Sequence, residues 1–160
     1  MYRVGDRVVY PPHGAGVIKS IEEKTVLKEK KRYYILQLIS NNMTIMLPID
    51  KSTDMGLREI IEEKEVKKVF RILKANNIES ADDWKERYNL NLEKIKSGSI
   101  FKIAEVARNL ANRNKEKGLS AGEKRLLDSA YQLIASEIAY VKNINEDEAL
   151  LLIDNMLRKY

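Results

Sequence analysis

The chain has 160 residues, with 29 basic and 24 acidic side chains, a net charge of +5, one histidine and no cysteine. That length suits one domain or two small ones, and 44% apolar with 33% charged residues describes a folded chain. Without cysteine there is no disulfide, thiol nucleophile or cysteine zinc site, and one histidine cannot build a poly-His metal site. No serine sits in GxSxG, and neither GxGxxG nor GxxxxGK[ST] occurs. No apolar run approaches the ~20 residues of a membrane span. The opening Met1–Asp6 lacks the pattern of a secretory signal, so a cytoplasmic protein is expected.

The first half reads as strands. Arg7-Val8-Val9-Tyr10 is β-rich and stops at Pro11-Pro12. His13-Gly14-Ala15-Gly16 signals a turn, with Gly14 and Gly16 supplying conformations that other residues avoid. Ala15 through Ile21 follows as a second strand, and Thr25-Val26-Leu27 as a third, with Lys28 to Lys31 as a charged turn. Arg32 through Ile39 is apolar on both faces, which predicts a central strand. Met43 to Leu47 is the last strand, ending at Pro48. Four or five short strands within ~50 residues predict a small, strongly bent barrel with an edge open for pairing. His13 has no partners for a metal site, so a structural role in the turn is expected.

Near Ser52-Thr53-Asp54 the period changes from two to 3.6. Ile60, Ile61, Val66, Val69, Phe70 and Leu73 mark one or two helices. Ser80-Ala81-Asp82-Asp83 reads as a helix start, with Ser80 as N-cap, and that helix runs to Ser97-Gly98. Ile100, Ile103, Ala104, Ala107, Leu110 and Ala111 stripe the next helix, which stops at Gly118. Ser120-Ala121-Gly122-Glu123 is a capping box opening a long helix. Asn145 with Glu148 starts a last helix carrying Ala149, Leu152, Ile153 and Met156.

The charge is uneven. Residues 1–53 carry a net +4, residues 54–84 a net −2, residues 85–125 a net +6 and residues 126–160 a net −3. The basic stretch at 85–125 points to nucleic acid, because each phosphate neutralised releases a condensed counterion. From residues alone this is a β module, 1–53, joined to a basic helical module, 54–160.

Three runs add a resemblance. Val4-Gly5-Asp6-Arg7-Val8-Val9-Tyr10-Pro11-Pro12-His13-Gly14, Leu92-Glu93-Lys94-Ile95-Lys96-Ser97-Gly98 and Lys117-Gly118-Leu119-Ser120-Ala121-Gly122-Glu123-Lys124-Arg125 resemble, in register, the CarD/CdnL family of bacterial transcription regulators. The N-terminal run is shared with transcription-repair coupling factors, and the two helical runs favour CarD/CdnL. The resemblance implies an α+β chain: an N-terminal Tudor-like barrel that docks on the β-subunit lobe of RNA polymerase, then a helical domain that binds promoter DNA. In the family a tryptophan wedges into the minor groove at the upstream edge of the transcription bubble. The open promoter complex then lasts longer, without operator reading. A nucleoid-associated, cofactor-free monomer that is not an enzyme is the corresponding expectation.

Trp84 matches the wedge position. Its helical spacing with Tyr88, Leu92 and Ile95 alone favours a core residue, whereas its place in a first turn between cations favours an outward one. Lys85, Arg87, Arg113, Lys124 and Arg125 are the candidate phosphate contacts, Lys124 and Arg125 in a helix first turn. Asn89 stands where the family often has a cation. Lys24, Thr25, Val26 and Met46 match the family's polymerase-contact positions, and Met46 replaces an arginine of some relatives. Edge pairing is therefore the favoured mode for that contact, because main-chain bonds tolerate side-chain change. Val26 and Met46 as barrel core is the competing reading. An RNA-binding or ribosome-associated module is the alternative function. A carboxylate enzyme is a third, and requires a cleft holding perturbed acids.

Overall fold

The computed structural model describes residues 1–75 and 83–158, the last of these by its backbone. It divides into two compact units, Met1–Ile60 and Ile61–Tyr160.

The first unit is an antiparallel sheet of five strands. They are β1 (Arg7–Tyr10), β2 (Gly14–Val26), β3 (Glu29–Leu38), β4 (Thr44–Pro48) and β5 (Arg58–Glu59), in the order β4-β3-β2-β1-β5. Strand β3 is an inner strand, paired on both sides as its two-sided apolar sequence requires, with Tyr34, Ile35 and Leu36 all buried. The core gathers Val8, Ile18, Tyr34, Leu36, Leu47 and Leu57. A bulge between Ile18 and Ser20 bends β2 over this core. Gly14 takes φ +93°, as its turn demands. Gly16 acts differently from the expectation. A Cβ there would meet the Gln37 carbonyl oxygen at 2.8 Å, so the position is set by close approach of two strands.

The expected break between a second and third strand does not exist. Residues 14–26 form one strand, the turn is Leu27-Lys28, and Glu29 already belongs to β3. Glu22, Glu23 and Lys24 lack an apolar face because this part of the hairpin has water on both sides. The backbone ladder holds it, with Glu23 opposite Arg32 and 4.0 Å from Lys30 in an exposed pair. Leu27 and Lys28 have φ of 50° and 66°, the two left-handed positions of a two-residue I′ hairpin turn. The period change near Thr53 precedes the unit boundary, because β5 returns to pair Val8 with Glu59 and Val9 with Arg58.

The second unit has five helices: α1 (Glu63–Lys74), α2 (Trp84–Lys96), α3 (Ile100–Glu116), α4 (Ala121–Lys142) and α5 (Glu146–Arg158). Its core joins Val66, Val69 and Leu73 of α1, the expected stripe of α3, Ala130, Ile134 and Ile138 of α4, and Ala149 and Ile153 of α5. The Ser120 hydroxyl accepts from the Glu123 amide at 3.2 Å, and Asn145 accepts from the Glu148 amide at 2.8 Å. Gly98 and Gly118 end α2 and α3 with φ of +76° and +77°. Asp83 caps α2, its carboxylate accepting from the Lys85 amide at 3.2 Å. Ser80, assigned that role from sequence, lies outside the described residues. The Ile61 amide donates to Glu137 at 2.9 Å, which ties the start of this unit to α4.

Candidate nucleic-acid interface

Helix α2 begins at Trp84, whose side chain is 55% exposed. The core reading of Trp84 is therefore overturned. Tyr88, Leu92 and Ile95 pack on the core as their spacing predicts, but at the first turn the inward position belongs to Arg87. Lys85 is exposed, with its ammonium 5.9 Å from the Trp84 ring centroid. An apolar plate flanked by a cation is thus open to solvent.

Arg87 differs from the expectation of a phosphate contact. It is 6% exposed, and its guanidinium grips Glu123 of α4 with both arms of its fork. Nε donates to Oε2 at 2.7 Å and Nη2 to Oε1 at 3.0 Å. Glu123 is 1% exposed and also accepts from the Ser120 hydroxyl at 3.2 Å. The Arg87 hydrogen bond is the largest influence on the Glu123 carboxyl and, with the opposite charge, holds it below its ordinary range despite burial. That direction is the reverse of what a general acid needs. The carboxyl of the capping box is thus also the anchor of a neighbouring helix. Tyr88 completes the contact, since a Cβ on Gly122 would lie 3.3 Å from its ring.

This ion pair joins the first turn of α2 to the first turn of α4. Lys124 and Arg125 follow Glu123 directly and are exposed. Trp84, Lys85, Lys124 and Arg125 are therefore carried by two helix N-termini locked together, where free N–H groups add positive potential. Arg113 lies in the last turn of α3, which leads through Gly118 into α4. It is half-buried, and its Nε is a buried donor without a partner.

A shallow groove of about 630 Å³ between α4 and α5 has the opposite character. It is lined by Asp128, Asp147 and Asp154 beside Tyr131, Gln132, Leu150 and Leu151. Such a rim repels phosphate. Among the described residues no group of three or more His, Cys, Asp or Glu could hold a metal. None of the described helices is long and apolar enough to cross a membrane.

In the sheet unit the four candidate contact residues are all exposed. The core reading of Val26 and Met46 fails, because they are 49% and 46% exposed. The ladder places Lys24 opposite Lys31, Val26 opposite Glu29 and Met46 opposite Ile35. By the two-residue period these share the face opposite Tyr34 and Leu36, while Thr25 lies on the other face. They do not form one patch. Glu29 and Ile35 are six positions apart on β3, about 20 Å at ~3.3 Å per residue. Strand β4 is an outer strand of the sheet, and β1 pairs β2 only over Gly14–Val17. Sequence reasoning passed over Leu27, 93% exposed at the hairpin tip, because it was read as a strand residue.

Residues 2–61 match the family model described as the CarD-like/TRCF RID domain, and residues 68–154 match the CarD C-terminal domain. A relative from Bacillus subtilis (strain 168), described as "Putative transcription factor YdeB", is 40% identical over 148 residues. That match covers 92% of this chain and 97% of the relative. The chain belongs to the CarD/CdnL family. A solved structure titled "CdnLNt from Myxoccoccus xanthus" is 41% identical, with a TM-score of 0.35. It covers 39% of this chain and 89% of that one. This CarD/CdnL chain is thus of a transcription-factor type, with a Tudor-like sheet unit ahead of a helical unit. The family points to a regulator rather than an enzyme, and to RNA polymerase as a partner.

Proposed function

We propose that this CarD/CdnL protein binds the β-subunit lobe of RNA polymerase through its sheet unit. Its helical unit then holds promoter DNA at the upstream edge of the bubble, where Trp84 enters the minor groove and prolongs the open complex. The observation that carries the reading is the exposed Trp84 on a helix first turn joined to a second first turn bearing Lys124 and Arg125. An apolar plate between base pairs offsets unstacking, which costs a few kcal/mol per step. The cations supply sequence-independent affinity and set register.

A regulator shifts melting only by binding the open state better than the closed one. Trp84 supplies that difference if the distorted groove it fills exists chiefly in the open complex. The polymerase contact keeps the helical unit at a high local concentration near the bubble. On the sheet unit the outer edge of β4 and the distal part of β2 offer main-chain groups for strand addition.

The test is the lifetime of a preformed open complex, challenged with competitor, with the natural protein, with Trp84→Ala and with neither. The natural protein lengthens it and Trp84→Ala does not, although both bind polymerase. An equal lifetime with the two proteins would remove the wedge from the mechanism.

A further inference from the structure

We infer that Arg87 and Glu123 are positioning residues: their buried ion pair sets the direction in which Trp84 projects, and so its entry into DNA. The inference rests on the wedge reading above for its functional half. Its structural half stands on geometry alone.

Trp84 is exposed, so no enclosing core fixes it. Its direction is inherited from α2. Arg87 stands three residues on, one helical turn away on the neighbouring side of the helix. The fully buried residues of α2 are polar, Arg87 and Asn91, while Tyr88, Leu92 and Ile95 pack half-buried on the core. That apolar packing seats α2 along its length, and the ion pair is the directional contact at its first turn. A planar fork on a planar carboxylate fixes angle as well as distance, which a lysine cannot do. Glu123 is itself held by the Ser120 cap, so the reference point is rigid. Lys124 and Arg125 continue the same turn, so one pair sets the register of plate and cations together.

Stability alone does not account for a pair of this kind. A buried ion pair is often matched or bettered by apolar residues of similar volume. Its distinctive contribution is geometric.

Trp84 is the chain's single tryptophan, so its fluorescence reports its own motion. The experiment uses the full-length protein and Arg87→Lys, which keeps the charge and loses the fork. We expect cooperative unfolding and polymerase affinity close to the parent's. We also expect a new fast component in the Trp84 anisotropy decay, and a gain in open-complex lifetime reduced about fivefold or more. In the Trp84→Ala background Arg87→Lys then adds nothing, because it acts through the ring. An unchanged anisotropy decay in folded Arg87→Lys would overturn the inference, as would an equal loss of lifetime in both backgrounds. If Trp84→Ala leaves the lifetime unaltered, the wedge reading fails, and the fast component alone decides the positioning. Should Arg87→Lys not fold, Glu123→Gln takes its place, keeping shape while losing charge.

Discussion

On the sheet unit Lys24, Thr25 and Val26 ride a two-stranded ribbon and Met46 an outer strand, held by backbone ladders and a solvent-exposed charge pair. On the helical unit the exposed tryptophan stands one turn from an ion pair whose partners are almost wholly buried. A surface of the first kind recognises by main-chain bonds, and single side chains there are replaceable. A surface of the second kind recognises by the placement of a few side chains, and the residues that place them are not replaceable. On the proposed edge-pairing mode, Met46 in place of the arginine of some relatives is compatible with polymerase contact.

The largest effect that separates the two kinds is Glu123→Ala. It leaves the Arg87 guanidinium buried without its counter-charge, at a cost of about 3–5 kcal/mol. Chemical denaturation should show the loss in the transition of the helical unit. The pH dependence has a definite sign. The Glu123 carboxyl is held below its ordinary range when folded, chiefly by Arg87. Its contribution is therefore complete above the unfolded pKa and disappears as pH falls through the folded one. Parent protein should lose helical-unit stability on acidification more steeply than Glu123→Gln.

Next in size is Gly16→Ala on the sheet unit. The added methyl meets the Gln37 carbonyl oxygen at 2.8 Å, and neither strand can yield cheaply. Overpacking of this kind costs about 1–3 kcal/mol, readable as a lower midpoint for the sheet unit. A change below ~0.5 kcal/mol would mean that the bulge at Ile18/Ser20 absorbs the strain. Trp84→Ala, by comparison, should cost less than the ~3–5 kcal/mol of a fully buried aromatic, because over half of the residue is in water.

Most of the fold was legible in the sequence, and the exceptions lie where local pattern carries no signal. The stripe of α3, the caps at Ser120 and Asn145, and the inner place of β3 all follow from local pattern. The long β2–β3 hairpin did not, because a ribbon with water on both faces has no apolar period to read. Its turn is Leu27-Lys28, which lacks the Asn-Gly or Asp-Gly that marks such turns. At the candidate site the exposure of Lys85, Lys124 and Arg125 follows from local pattern, whereas that of Trp84 runs against its helical spacing. The burial of Arg87 was not legible, since its partner is 36 residues away and an arginine in a basic run reads as one more exposed cation. The hidden signal was Glu123, which the capping box already explained.

A milder test addresses the ribbon. Thr25→Pro removes a main-chain donor near its tip, and Met46→Ala removes only a side chain. If strand addition carries polymerase binding at that end, Thr25→Pro weakens it by about tenfold, or ~1.4 kcal/mol, while Met46→Ala changes it less than about threefold. The reverse order, read in a binding titration with polymerase, would move the contact from backbone to side chains and erase the contrast between the units.

The smallest effect is also the one that separates the cations of the helical unit from one another. Each phosphate neutralised on duplex DNA contributes about 0.9 to the slope of log affinity against log salt. Lys124→Ala and Arg125→Ala should each lower that slope by about one if they meet phosphate, with little change in stability because both are exposed. Arg87→Met paired with Glu123→Met should leave the slope unchanged, although it too removes a cation. The charge of Arg87 is already met by Glu123 at 2.7 Å, so no counterion is released on its account. A fall in slope with the double substitution would mean that Arg87 leaves Glu123 for the phosphate when DNA binds. The pair would then be a latch that opens rather than a fixed brace.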